Sequence, residues 1–127
     1  MFKPVVLGLA AALALTASAF AADFKTFDQA AFKAAQGEGR PILVEVTAPW
    51  CPTCRAQKPI IQSLAAAPEN AKLVIFNVDF DSRKDVLREF GVTKQSTLIA
   101  FKGAQETARS TGSTDPQAIA ALVKTAH

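Results

Sequence analysis

The run Ile42-Leu43-Val44-Glu45-Val46-Thr47 constrains the fold more than any other stretch of this chain. Its branched and apolar side chains, bounded by turn residues, predict a buried strand. Ala48-Pro49-Trp50 breaks it, and helical sequence follows at once from Cys51, with Ile60, Ile61 and Leu64 apolar and Pro59 expected to kink the helix. The alternation then repeats. Leu73–Val78 predicts a second buried strand, and a helix opening at Asp81 or Ser82 carries Val86, Leu87 and Phe90 before a stop at Gly91. Thr97–Phe101 predicts a third strand, turned by Lys102-Gly103-Ala104 into Glu106–Ser110 as a hairpin. Asp28 caps a short early helix ended by Gly37, and Asp115-Pro116 opens a last helix with Ile119, Leu122 and Val123 on one face. The predicted order is helix, strand, helix, strand, helix, strand, strand, helix. Strands separated by helices pair in parallel and the hairpin adds antiparallel pairing, so the expected class is α/β: one central mixed sheet with helices on both faces.

The first residues stand apart from this pattern. Lys3 precedes an apolar run from Val5 to Leu15, and Ala19 and Ala21 sit at the small-residue spacing of a signal-peptidase site. We expect a signal peptide over 1–21, cleaved after Ala21 with Ala19 as a near alternative, and a single domain over 22–127. An uncleaved membrane anchor is the competing reading, but Asp23 follows where a basic stop signal would stand. Export to a periplasm-like compartment follows from the first reading.

The whole chain carries a net charge of +3, and removing Lys3 with the leader lowers it by one. That balance is mild, the basic residues are scattered, and no interleaved aromatics offer base stacking, so nucleic acid is not an expected partner. The cysteines are more informative. There are two, Cys51 and Cys54. A structural disulfide gains most by closing a long loop, and this pair closes almost none, so the spacing favours chemistry over stapling.

At Trp50-Cys51-Pro52-Thr53-Cys54 a strand passes through a short turn into a helix. Cys51 is expected at the helix N-terminus, where free N–H groups and the helix dipole stabilise a thiolate. Pro52 has no N–H to lose in the first turn. Cys54, nearly one turn on and expected to be the more buried, attacks the mixed disulfide formed at Cys51. Zinc needs about four ligands, and beyond the two cysteines the sole histidine is the terminal His127. Two thiolates also suit copper(I), which keeps a metallochaperone open as an alternative, although Met1 is the only methionine. Glu45 lies mid-strand, where a carboxylate costs free energy unless paired or protonated, so burial should raise its pKa. A strand-end acid reaching solvent is the plainer reading.

Ile42 through Cys54, ILVEVTAPWCPTC, resembles the active-site region of the thioredoxin family. Pro59 matches the family's helix-kinking proline, Asn77-Val78-Asp79 its third core strand, and Gly91-Val92 with Thr97-Leu98 the segment facing the active site. The resemblance covers nearly all of the chain after the leader. It implies a thioredoxin-like fold and a thiol–disulfide oxidoreductase with Cys51 and Cys54 as its redox-active pair. It also implies Glu45 as proton carrier for Cys54, and Trp50, Gln95 and Ser96 facing the substrate. No cofactor is implied. Partners would be protein thiols and disulfides, with a membrane thiol carrier as electron donor and the protein itself a monomer. Arg55, next to Cys54, would add positive potential or simply be solvated.

The sequence departs from the family at two places. Ser96 stands where the family has a cis-proline, and a cis bond before a non-proline residue costs about 2.5–4 kcal/mol, so the Gln95–Ser96 bond is expected to be trans. Ser96 would then offer its hydroxyl to Cys51 or to a substrate, or leave the cysteines more open to metal. A lysine often found near the buried acid is replaced by Ile75, which predicts more apolar surroundings for Glu45. The leading expectation is an exported protein-disulfide reductant or electron relay. The copper(I) metallochaperone and a non-catalytic thioredoxin-like interaction domain are the rivals.

Overall fold

The computed structural model describes residues 2–5, 8 and 21–127. Most of the predicted signal peptide, 1–21, lies outside the described residues. Among the described residues, five strands form one sheet: β1 (Asp23–Thr26), β2 (Pro41–Thr47), β3 (Val74–Asp79), β4 (Thr97–Lys102) and β5 (Gln105–Thr111), in the order β1-β3-β2-β4-β5. β1 and β2 flank β3 in parallel, whereas β4 runs antiparallel to both β2 and β5, so the sheet is mixed as expected. Among the described residues, four α-helices complete it: α1 (Gln29–Gly37), α2 (Pro52–Ala66), α3 (Lys84–Phe90) and α4 (Pro116–Lys124).

β1 was not anticipated. Asp-Phe-Lys-Thr has no alternating pattern, and Phe24 is half exposed. The strand exists because β3 offers it a free edge, pairing Asp23 with Val74 through Thr26 with Asn77. The start of α3 also moves. Asp81 and Ser82 were expected to open it, but the helix begins at Lys84, preceded by Arg83 with no side-chain cap. Asp81 accepts a hydrogen bond from Trp50 instead. Asp28 and Asp115 do cap α1 and α4, accepting from the N–H groups of Ala31 and Gln117.

Side chains alternate across each strand, and that alternation assigns the faces. Ile42, Val44 and Val46 of β2 join Val74, Phe76 and Val78 of β3 and Ile99 and Phe101 of β4 against α1 and α3. Five phenylalanines gather there, Phe27, Phe32, Phe76, Phe90 and Phe101, with ring centroids 5.3 to 5.9 Å apart. Leu43 of β2, Ile75 of β3 and Leu98 and Ala100 of β4 pack on the other face with Ile61 and Ala65 of α2 and Ile119, Leu122 and Val123 of α4. Because Glu45 is two residues beyond Leu43, it falls on the α2–α4 face, the same face as the helix that follows the cysteines.

Candidate active site

Cys51 and Cys54 are disulfide-bonded, with their Cα atoms 5.3 Å apart. Cys51 is the N-cap of α2, with extended backbone at φ −86° and ψ 109°, and its Sγ accepts the N–H of Cys54 at 3.1 Å. Pro52 takes the first helical position, where no N–H is required. Once the bond is reduced, the same N–H faces a thiolate at the positive end of the helix. The expected ranking of burial is not met: Cys51 is 0% and Cys54 7% exposed. Ala48 packs with the pair, and the half-buried Phe80 packs against the same cluster.

Trp50 is 52% exposed, which rules out a plain core role. Its Nε1 donates to Asp81 Oδ2 at 2.9 Å and its ring meets Phe80 edge-on, with centroids 6.3 Å apart. The Lys84 ammonium sits 3.9 Å from the Phe80 ring centre on the same surface. Trp50 and Phe80 thus form an aromatic wall beside the disulfide.

Behind the disulfide, Glu45, Asn77, Cys54, Arg55 and Lys58 line one cleft of about 440 Å³. Glu45 pairs in register with Asn77 across β2 and β3. Asn77 Nδ2 donates to Glu45 Oε1 at 3.2 Å and to Thr47 Oγ1 at 2.8 Å. Burial pushes the Glu45 carboxyl above the ordinary carboxylate value, while the Asn77 hydrogen bond and the charge of Lys58 pull it part of the way back. Ile75 does not make these surroundings wholly apolar, because it packs in the core while Asn77 and Lys58 supply the polarity. Neither residue was singled out from the sequence. Asn77 was visible only as a strand residue, and Lys58 reaches the cleft because it stands one helical turn beyond Cys54. Arg55, next to Cys54, is exposed at the cleft.

Ser96 is 5% exposed and, among the described residues, the only non-glycine with positive φ, at 60°. All described peptide bonds are trans, the Gln95–Ser96 bond included. A side chain in the left-handed region costs about 1–3 kcal/mol, so its surroundings must hold it there. They do so through the backbone: Ser96 N–H donates to the Val46 carbonyl at 2.8 Å, and its own carbonyl accepts from Gly112 at 3.0 Å. Cys54 Sγ lies 3.8 Å from that same Val46 carbonyl, which brings the Ser96 turn to the disulfide. The hydroxyl is not free for Cys51, because it donates to the carbonyl of Gln95. Nor does the missing proline leave the cysteines more open, since both are buried. Gln95, the neighbour of Ser96, is half-buried. Among the described residues, no three His, Cys, Asp or Glu side chains cluster as metal ligands.

A buried glutamine on α2 completes the site. Gln57, on the same α2 face as Cys54 and Ile61, is 2% exposed and donates to the carbonyls of Ser96 and Ser113. A glutamine in an apolar stripe was the available signal, but its partners are remote in sequence.

This geometry, a strand running into a disulfide at a helix N-terminus with an acid behind it, defines a thioredoxin-type thiol–disulfide oxidoreductase domain. The chain belongs to the thioredoxin family, whose model matches residues 22–125. A solved structure of Trxlp from Edwardsiella tarda EIB202 is similar at 40% identity and a TM-score of 0.77, over 80% of this chain and 98% of that one. Thioredoxin Asp f 29 of Aspergillus fumigatus is 31% identical, over 80% of this chain and 88% of that protein. Protein disulfide isomerase-like 2-2 of Oryza sativa subsp. japonica is 35% identical across 98% of this chain, which spans only 34% of that longer protein.

Proposed function

We propose that this protein is an exported reductant of protein disulfides, or an electron relay, working through the Cys51/Cys54 dithiol. The observation that carries this reading is the Cys54 N–H aimed at Cys51 Sγ from the first turn of α2. It marks Cys51 as the thiol that ionises more readily and therefore as the nucleophile. The reduced Cys51 thiolate attacks one sulfur of a substrate disulfide, forming a mixed disulfide and releasing the other substrate sulfur as a thiolate. Cys54 then loses its proton to Glu45 through the shared cleft and attacks Cys51 Sγ. The Cys51–Cys54 bond forms, the second substrate thiol leaves, and two electrons have passed to the substrate. Trp50 and the Gln95–Ser96 edge flank the nucleophile on the side where a substrate chain would lie.

The leader-like pattern over 1–21 supports export. In an oxidising compartment a reductant needs recharging, and a membrane thiol carrier is the donor class that fits. Insulin reduction by residues 22–127 with dithiothreitol as donor tests the activity, with Cys51→Ala as the control. Catalysis well above that control is expected, and a rate equal to it would remove the oxidoreductase reading. A reduction potential near those of strong dithiol oxidants, about −120 mV, would reverse the assigned direction. N-terminal sequencing of protein from the periplasmic fraction should begin at Ala22; an intact Met1 start in the cytoplasm would remove the export reading.

A further inference from the structure

Gln57 occupies a core position that an apolar side chain would ordinarily fill. It lies between Cys54 and Ile61 on the buried stripe of α2, and it is 2% exposed. An amide placed there without partners is destabilising, so its hydrogen bonds account for its presence. Nε2 donates to the Ser96 carbonyl at 3.1 Å and to the Ser113 carbonyl at 2.9 Å. Two carbonyl acceptors need both amide protons, which fixes which end of the amide points at them. One side chain therefore joins the redox helix to the turn before β4 and to the loop after β5.

The Ser96 turn needs such support. It holds a left-handed backbone without glycine, and its N–H is already committed to Val46. Its carbonyl receives Gly112 N–H from one side and Gln57 from the other. Gln57 stands three residues after Cys54, less than one helical turn, so a displacement of α2 at the disulfide and a displacement of the Ser96 turn are coupled through it.

We propose that Gln57 is a positioning residue that holds the Gln95–Ser96 edge against the disulfide and thereby sets how tightly a protein disulfide docks. This rests on the disulfide-reductant reading above and goes beyond it by assigning the determinant of docking. The Gln57 amide bonds to the Ser96 and Ser113 carbonyls and to neither sulfur, so its effect belongs to KM rather than to the exchange chemistry.

The test compares Gln57→Leu and Gln57→Met with wild type on two substrates. Insulin must dock along the edge, whereas 5,5′-dithiobis(2-nitrobenzoate) is small enough to react without it. KM for insulin should rise about tenfold, the scale of losing the one buried hydrogen bond that reaches the Ser96 edge, with kcat and the rate on the small disulfide within about twofold. Amide exchange at Ser96 and Gly112 should quicken by about tenfold or more as the turn loosens. An unchanged insulin KM in a folded variant overturns the proposal, as does an equal loss on both substrates. Should neither variant fold, wild type carries the test: the Gln57 side-chain amide protons should be protected from exchange, and exchange at the rate of a free amide overturns the proposal. Should wild type fail to reduce insulin at all, the reductant reading fails by itself. The clamp is then judged on Ser96 and Gly112 exchange, where faster exchange in the variants supports it and no change overturns it.

Discussion

Asn77 donates to Glu45 Oε1 at 3.2 Å from the register position directly across β2 and β3. The bond favours the ionised carboxylate and opposes the burial that favours the protonated one. Asn77 therefore tunes the group that would take the Cys54 proton. In Asn77→Leu the opposing influence is lost, and Glu45 should move further above its ordinary value. Glu45 must be ionised to accept a proton, so the acid limb of the insulin-reduction pH profile should shift toward higher pH. A profile that superimposes on wild type would show that Glu45 does not titrate in the rate-limiting step.

The same shift has a consequence for stability. Glu45 binds its proton more tightly in the folded protein than in the unfolded chain. The stability this contributes is fully present below the ordinary value of 4.5 and is lost as pH rises through the higher folded value. Glu45→Gln keeps the shape and removes the buried charge, so its melting temperature should exceed that of wild type at pH 7, with the gap closing toward pH 4. Its mixed disulfide should resolve at least about 100-fold more slowly, the scale expected for removing an acid–base group. A variant less stable at pH 7, or equally fast, would contradict this assignment.

The two cysteines should fail differently. Cys51→Ala should lose disulfide reduction altogether, because no nucleophile remains at the helix start. Cys54→Ser should still attack and then stall, leaving a covalent complex with its substrate that mass spectrometry detects and dithiothreitol releases. Trapping by Cys51→Ser instead would exchange the two roles.

Phe80 packs against the cluster that holds Cys51, which is fully buried in the oxidised protein. Phe80→Ala should open an approach to Cys51 and raise the rate of disulfide reduction by dithiothreitol by about tenfold, since exchange rates follow access as well as thiolate character. Stopped-flow monitoring of Trp50 fluorescence reports the rate directly, as Trp50 is the chain's single tryptophan. An unchanged rate would mean that access is governed from the Ser96 side.

Restoring proline at the turn should not help this chain. Ser96→Pro forces φ from +60° toward about −65° and deletes the N–H that meets Val46. We expect a loss of at least about 1 kcal/mol and a fall in melting temperature of about 5 °C or more for a domain of this size. A stabilised variant would show that the turn rearranges freely around the proline.

The sequence by itself determined the alternation of strands and helices, the caps at Asp28 and Asp115, and the placement of Cys51 at a helix start. These rest on local rules: side-chain period, the chemistry of N-caps, and the break that Ala48-Pro49 imposes after β2. Glu45 was legible for the same reason, as a lone acid inside an apolar strand. The tertiary structure alone decided what surrounds them. β1 exists only because β3 has a free edge, and Asp81 serves Trp50 rather than α3. Cys51 is the more buried of the two cysteines, in a cluster against which Phe80 packs. Asn77 and Lys58 reach Glu45 from another strand and from a helix. Gln57 meets Ser96 and Ser113 across 39 and 56 residues of chain. Hydrogen bonds over such separations leave no periodic trace in a sequence, because their geometry is set by how whole elements pack and not by the residues beside them. The strand–Cys51–Cys54–helix unit was therefore readable in advance, while the turn that faces it, held in a left-handed backbone by a buried glutamine, was not.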